Sequence, residues 1–163
     1  MSFNLSVIPN KNIILAVTGG IAAYKSAIVV RRLKDAGFDV RVVMTAGAQA
    51  FITPLTFQAL SGNPVHTELL NPEAEAGMGH IELARWADLL LVAPASCDTL
   101  AKFAAGLADD LLSTLYLASK CPVWVAPAMN QQMWAAKATQ RNLNTLVDDG
   151  VHVIMPDAGS QAC

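Results

Sequence analysis

The chain has 163 residues, enough for one domain with a sizeable core, and no linker, repeat or low-complexity tract divides it. Hydrophobic residues make up 53% and charged ones 15%, an apolar share above and a charged share below those of ordinary soluble domains. The formal charge of −2 offers no basic field for nucleic acid, and no apolar run reaches the roughly 18 residues of a membrane span. So much apolar surface predicts burial between subunits. The first ten residues lack the basic start and apolar stretch of a signal peptide. Three cysteines (Cys97, Cys121, Cys163) form no C-x-x-C spacing, which predicts neither a disulfide framework nor a metal site, and a reducing, cytoplasmic setting.

Residues 13–17 (Ile-Ile-Leu-Ala-Val) are a continuous apolar run, the pattern of a parallel strand covered on both faces. Thr18-Gly19-Gly20 then turns the chain into a helix predicted over 21–36, with inward positions Val29, Leu33 and Ala36 and with Gly37 ending it. A second strand over 39–44 and a loop at Thr45-Ala46-Gly47 complete a βαβ unit, whose crossover is expected to be right-handed. A short helix over 54–60 stops at Ser61-Gly62-Asn63-Pro64. Residues 66–79 are the least regular stretch, with loops at Asn71-Pro72 and Gly77-x-Gly79. The most buried strand is predicted over 88–93, followed by helices over 98–105 and 109–118. A strand over 122–126, one long helix over 131–148 and a last strand over 151–155 finish the chain. This alternation predicts a single α/β domain, a Rossmann-like (flavodoxin-like) doubly wound parallel sheet.

Ligands bind such sheets outside the carboxyl ends of the strands. Four loops lie there: Thr18-Gly19-Gly20, Thr45-Ala46-Gly47, Pro94-Ala95-Ser96-Cys97-Asp98-Thr99 and Pro127-Ala128-Met129-Asn130. Small residues let a ligand approach the backbone, and a helix start contributes about 0.3–1 kcal/mol toward an anion. The first loop lacks the G-x-G-x-x-G spacing, and no P-loop is present, so a mononucleotide fits better than a dinucleotide or a triphosphate.

His80 follows Gly77-Met78-Gly79, which leaves space beside a ring whose ordinary pKa, near 6.5, suits a base at neutral pH. The same residue type in this place also serves as a hydrogen-bonded structural histidine. Asn130 is suited to cap the helix that starts at Gln131, and capping is compatible with binding a carboxylate. Met129 and Met133 read as packing residues, and Trp134 as packing or a pocket wall. Cys97 and Cys121 read as small buried residues. Cys163, after Asp157-Ala158-Gly159-Ser160-Gln161-Ala162, is open to two readings, an acid reaching a site or an inert tail residue.

Taken in order, Thr18-Gly19-Gly20-Ile21-Ala22-Ala23-Tyr24-Lys25, Met78-Gly79-His80-Ile81-Glu82-Leu83, Ala93-Pro94-Ala95-Ser96, Pro127-Ala128-Met129-Asn130-Gln131-Gln132-Met133 and Gly159-Ser160-Gln161-Ala162-Cys163 resemble the phosphopantothenoylcysteine decarboxylase family. The likeness is to the decarboxylase domain of the bacterial bifunctional coenzyme A biosynthesis proteins, and it covers nearly the whole chain. It implies a homo-oligomer built from trimers, up to a dodecamer, with FMN held between subunits. FMN would contact Gly19, Gly20, Ile21, Thr45, Gly47, Ser96, Asp98, Thr99 and Ala128. The implied reaction oxidises the cysteine end of 4′-phospho-N-pantothenoyl-L-cysteine to a thioaldehyde. It then releases CO₂ to an enethiolate and reduces that to 4′-phosphopantetheine. By the same resemblance His80 is the base, Asn130 and Met129 contact the substrate, and Cys163 donates the last proton. In the family a Gly-rich flap follows that Cys, and in the bifunctional proteins a synthetase domain. A chain of residues 1–163 lacks both, so it is expected to bind FMN but complete turnover poorly. Peptidyl-cysteine decarboxylases, flavin prenyltransferases and non-catalytic FMN-binding regulatory subunits share this fold. His80 and residues 127–130 argue against the prenyltransferase, and intact His80, Asn130 and Cys163 against the regulatory subunit.

Overall fold

In a computed structural model that describes residues 12–72 and 78–156, five parallel strands form one sheet in the order β2-β1-β3-β4-β5. They are β1 (Asn12–Val17), β2 (Asp39–Met44), β3 (Leu89–Ala95), β4 (Val123–Pro127) and β5 (His152–Val153). The chain visits β1, steps outward to β2, then crosses back to β3 on the other side of β1. Adjacent loops therefore leave β1 and β3 in opposite directions, and a crevice opens between them.

Alternation along β1 divides the core in two. Ile14 and Ala16 join Leu90, Val92 and Val125 on one face, and Ile13, Leu15 and Val17 join Leu89, Leu91 and Val42 on the other. The first face is covered by α3 (His80–Trp86), α4 (Cys97–Ala105), α5 (Leu111–Ala118) and α7 (Lys137–Asp148), through Leu83, Leu100, Leu115 and Leu146. The second is covered by α1 (Lys25–Asp35) and α2 (Pro54–Ser61), through Val30, Leu33 and Phe57. Each such fully buried side chain contributes about 1.5–3 kcal/mol. Among the described residues no helix is long and apolar enough to cross a membrane.

Four sequence expectations need correction. On α1, Leu33 is buried as expected and Val29 packs half-buried against the core, but Ala36 is exposed and the inward face is completed by Val30 and by Ser26, whose hydroxyl donates to Ala93 O at 2.7 Å. Residues 21–24 form a separate 3-10 turn ahead of it. The helix expected over 131–148 is two helices, α6 (Gln131–Ala135) and α7, parted at Ala136, whose ψ of 136° is extended. The last strand keeps only His152 and Val153, since β5 lies at the sheet edge and pairs with β4 alone. Gly37, expected to end α1, does so with φ +91, a left-handed value that glycine adopts without strain.

His66 gives the fold a pH dependence. Its backbone pairs with β2, Met44 N to His66 O and His66 N to Val42 O each at 2.9 Å, while its Nε2 is buried with no hydrogen-bond partner among the described residues. Burial, and then the Arg41 guanidinium, push its pKa below the ordinary 6.5. The unfolded chain therefore takes up this proton more readily, so stability is full above about pH 6.5 and falls as the pH drops below it. Denaturant midpoints at pH 7.5 and 5.5 should show that loss in the natural protein and a flatter profile in His66→Gln.

Candidate functional site

The loops at the carboxyl edge are tied to one another by hydrogen bonds. Thr18 is fully buried; its Oγ1 donates to Pro94 O at 2.6 Å and accepts the Ser96 N–H at 2.8 Å. Ala128 N donates to Ala95 O at 3.1 Å, which ties the loop after β4 to the end of β3. Thr45 N donates to Val17 O at 3.1 Å, and Thr45 Oγ1 accepts the Ala48 N–H, which holds the loop after β2 beside the end of β1.

Between these loops lies a cleft of about 190 Å³, lined by Gly19, Gly20, Ile21, Ala22, Ser96, Cys97, Ala128, Met129, Asn130 and Met133. Six of the expected FMN or substrate residues thus share one wall system with Asn130: Gly19, Gly20, Ile21, Ser96, Ala128 and Met129. Gly47 stands directly behind Gly19, where a β-carbon on Gly19 would come within 3.1 Å of the Gly47 backbone. A β-carbon on Gly20 would meet nothing within 4 Å, so the peptide there is open to a ligand. A larger depression of about 480 Å³ lies between the C-terminal ends of α4, α5 and α7, away from all four loops. The strand carboxyl ends, not volume, mark the functional crevice.

Ser96 caps α4: its Oγ accepts the Thr99 N–H at 3.2 Å and donates to Thr99 Oγ1 at 3.1 Å. The hydroxyls of Ser96 and Thr99 are thus engaged with each other. The first amides of α4, on Cys97 and Asp98, are the donors that a helix leaves for an anion. The Asp98 side chain is exposed and lies 3.7 Å from Lys102, so what Asp98 offers at the helix start is its backbone. Asn130 caps α6 in the same way, with Oδ1 accepting the Met133 N–H at 2.9 Å. That leaves the two Nδ2 hydrogens, and an amide that can only donate from its free end suits a carboxylate.

His80 does not line the cleft. It is the first residue of α3, half-buried, after Gly79 in extended conformation. The far end of α3 sits at the amino edge of the sheet, where Asn12 Nδ2 donates to Trp86 O at 3.1 Å and Asp88 Oδ2 accepts the Asn12 N–H at 3.0 Å. The helix climbs six residues, about 9 Å, from there toward the carboxyl edge. Met78, just before His80, packs on the same core cluster as Met129 and Trp134. Cys163 and Gly77 lie outside the described residues.

Sequence reasoning missed two features. Thr18 looked like one more small loop residue, and its role as the staple between loops emerges only once β1 and β3 are neighbours. Cys97 is half-buried and lines the cleft, with Sγ 3.1 Å from Thr139 Oγ1. Nothing in the local sequence signals that contact.

The family model described as Flavoprotein matches residues 3–163. The chain belongs to the Flavoprotein family. Among curated Flavoprotein relatives, the coenzyme A biosynthesis bifunctional protein CoaBC of Escherichia coli (strain K12) is 60% identical over 153 residues, covering 94% of this chain and 38% of that protein. The chain thus spans under half the length of such relatives. Among solved structures, the FMN-dependent cysteine decarboxylase SpaF superposes with a TM-score of 0.86 at 36% identity, covering 94% of this chain and 88% of the other. A cysteine-to-serine mutant of PPC decarboxylase complexed with pantothenoylaminoethenethiol superposes with a TM-score of 0.78 at 33% identity, covering 94% and 86%. The Flavoprotein fold and the all-parallel sheet described above therefore agree.

Proposed function

We propose that residues 1–163 form an FMN-binding decarboxylase domain that converts 4′-phospho-N-pantothenoyl-L-cysteine to 4′-phosphopantetheine in coenzyme A biosynthesis. The observation that carries this reading is the cleft itself, where Gly19-Gly20, the start of α4 and the Met129-Asn130 cap meet on one sheet edge. Likeness to CoaBC proteins and to PPC decarboxylase supports the substrate, and the Flavoprotein family and SpaF support the cofactor.

The cleft fits a phosphorylated, flat ligand on its own chemistry: an accessible Gly20 peptide, free amides on Cys97 and Asp98, and small side chains at Ala22 and Ala128. Gly19, Gly20, Ile21, Thr45, Gly47, Ser96, Asp98, Thr99 and Ala128 are the residues assigned to hold FMN. Bound FMN supplies the two-electron oxidation of the cysteine end of the substrate and the later return of those electrons. Asn130 Nδ2 donates to the substrate carboxylate, with its amide plane fixed by the bond to Met133 N, and Met129 packs beside it. The His80 imidazole, outside the cleft of its own copy, removes a proton from the cysteine end in a site completed by a neighbouring copy. Once that end is a thioaldehyde, the carboxylate lies beside an electron-withdrawing carbon and CO₂ leaves readily. Cys163 supplies the proton of the last step.

The domain works in the cytoplasm, as a homo-oligomer built from trimers. A cleft of about 190 Å³ is below the roughly 300–1,000 Å³ of pockets that enclose a small molecule, so further walls are needed. Ile21, Tyr24 and Ile28 are each more than half exposed and repeat at helical spacing, starting from the cleft itself. A neighbouring copy seated on that stripe would complete the pocket.

Purified protein given FMN should show a flavin spectrum, and with 4′-phospho-N-pantothenoyl-L-cysteine should release CO₂, followed by mass spectrometry of the product. Colourless protein that releases no CO₂ sinks the proposal. A second reading is action on a peptide ending in cysteine, since SpaF is named a cysteine decarboxylase and shares this fold. A side-by-side assay decides between the two, and faster CO₂ release from the peptide reverses the assignment.

A further inference from the structure

We propose that Thr139 and Gln140, on the first turn of α7, are positioning residues that set the two walls of the cleft from behind, an inference that rests on the decarboxylase reading above. Neither residue lines the cleft. Thr139 is 3% exposed, and its Oγ1 lies 3.1 Å from Sγ of Cys97, the first residue of α4 and part of the Ser96-Cys97 wall. Gln140 reaches the other wall: its Nε2 donates to Trp134 O at 2.7 Å. Trp134 belongs to α6, the helix that carries Asn130 at its cap and Met133 on the cleft.

The second contact replaces a bond that the helix has lost. In an unbroken helix Trp134 O would accept from the backbone amide four residues on. The extended ψ of Ala136 carries that amide away, and the Gln140 side chain takes its place. α6 is thereby fixed at an angle to α7, and its cap, with the amide of Asn130, faces the cleft. α7 is itself anchored to the core through Leu143 and Leu146, 6% and 0% exposed. One rigid turn thus holds the phosphate-side wall through Thr139 and the carboxylate-side wall through Gln140.

The two residues should separate in a test on the flavin-loaded protein. Gln140→Leu keeps the volume and removes the donor. It should raise the KM for phosphopantothenoylcysteine roughly tenfold, the scale of one lost hydrogen bond, with the FMN Kd within about twofold of the natural protein. Thr139→Val should do the reverse, weakening FMN severalfold with little change in KM, and Thr139→Ser should restore FMN affinity. A general loss of packing would instead move Kd, KM and the unfolding midpoint together, in both variants. That parallel shift, or variants that match the natural protein in both constants, overturns the proposal. Natural protein that binds no FMN and releases no CO₂ overturns the decarboxylase reading instead, so the two failures are distinct.

Discussion

Replacing His80 with asparagine is expected to lower CO₂ release by about 10²–10⁴-fold, the range that a positioned acid–base group supplies, while flavin content stays the same. The expectation follows from where the residue stands. His80 opens α3 about 9 Å from the amino edge of the sheet, and the cleft is lined without it, so its loss should spare cofactor binding. Asparagine is polar and close in size, so the α3 packing through Leu83 and Ala84 should hold. The measurement is CO₂ released per flavin, alongside the unfolding midpoint. A midpoint like that of the natural protein with CO₂ release lost isolates the chemistry from the fold. Cys163→Ser provides the contrast: on the proposed roles it still releases CO₂ and accumulates the unsaturated thiol. If His80→Asn keeps CO₂ release within a few-fold, the base lies elsewhere.

How far the sequence speaks for this chain depends on whether a signal is local. The three inner strands, β1, β3 and β4, are near-continuous apolar runs, and the loops that follow them could be named before any geometry was known, because the position of a loop after a strand is a local fact. Gly37 is another, since its left-handed φ is needed where it stands. The break at Ala136 is not local. Lys137, Ala138 and Thr139 continue a good helical sequence with no Pro or Gly, and what holds the bend is a side-chain bond from Gln140, six residues from its acceptor Trp134. Thr18 and Ser96 are 78 residues apart, and their bond exists only because β3 crosses back beside β1. Ser26 likewise finds Ala93 O across 67 residues, a buried position on α1 that no apolar pattern announces. So Gly19, Gly20, Ile21, Ser96, Ala128, Met129 and Asn130, which line the cleft, were legible from their chemistry and their place after strands. The residues that hold them in place were not, because their partners are set by topology.

Gly19 and Gly20 are neighbours with opposite demands, and exchanging each in turn should separate stability from binding. Neither has a left-handed φ, so conformational freedom is not what requires glycine at either position. At Gly19 the constraint is contact: a β-carbon would sit 3.1 Å from both Cα and C of Gly47, and 3.3 Å from its O. Those atoms are backbone, held in turn by Thr45 N to Val17 O, so they give way only if the whole loop after β2 moves. Gly19→Val should therefore cost about 1–3 kcal/mol, as overpacking does, and should lose FMN as well, because the loops no longer meet. At Gly20 a β-carbon meets nothing, and the extended backbone there suits any residue. Gly20→Ala should leave the unfolding midpoint unchanged, but its methyl group stands in the cleft where the cofactor must approach the peptide. FMN affinity should then fall by at least about tenfold, roughly 1.4 kcal/mol. Denaturation of the apoprotein and a flavin titration on both variants give four numbers. Gly20→Ala protein that binds FMN as tightly as the natural chain would remove the phosphate from this loop, whatever Gly19→Val does.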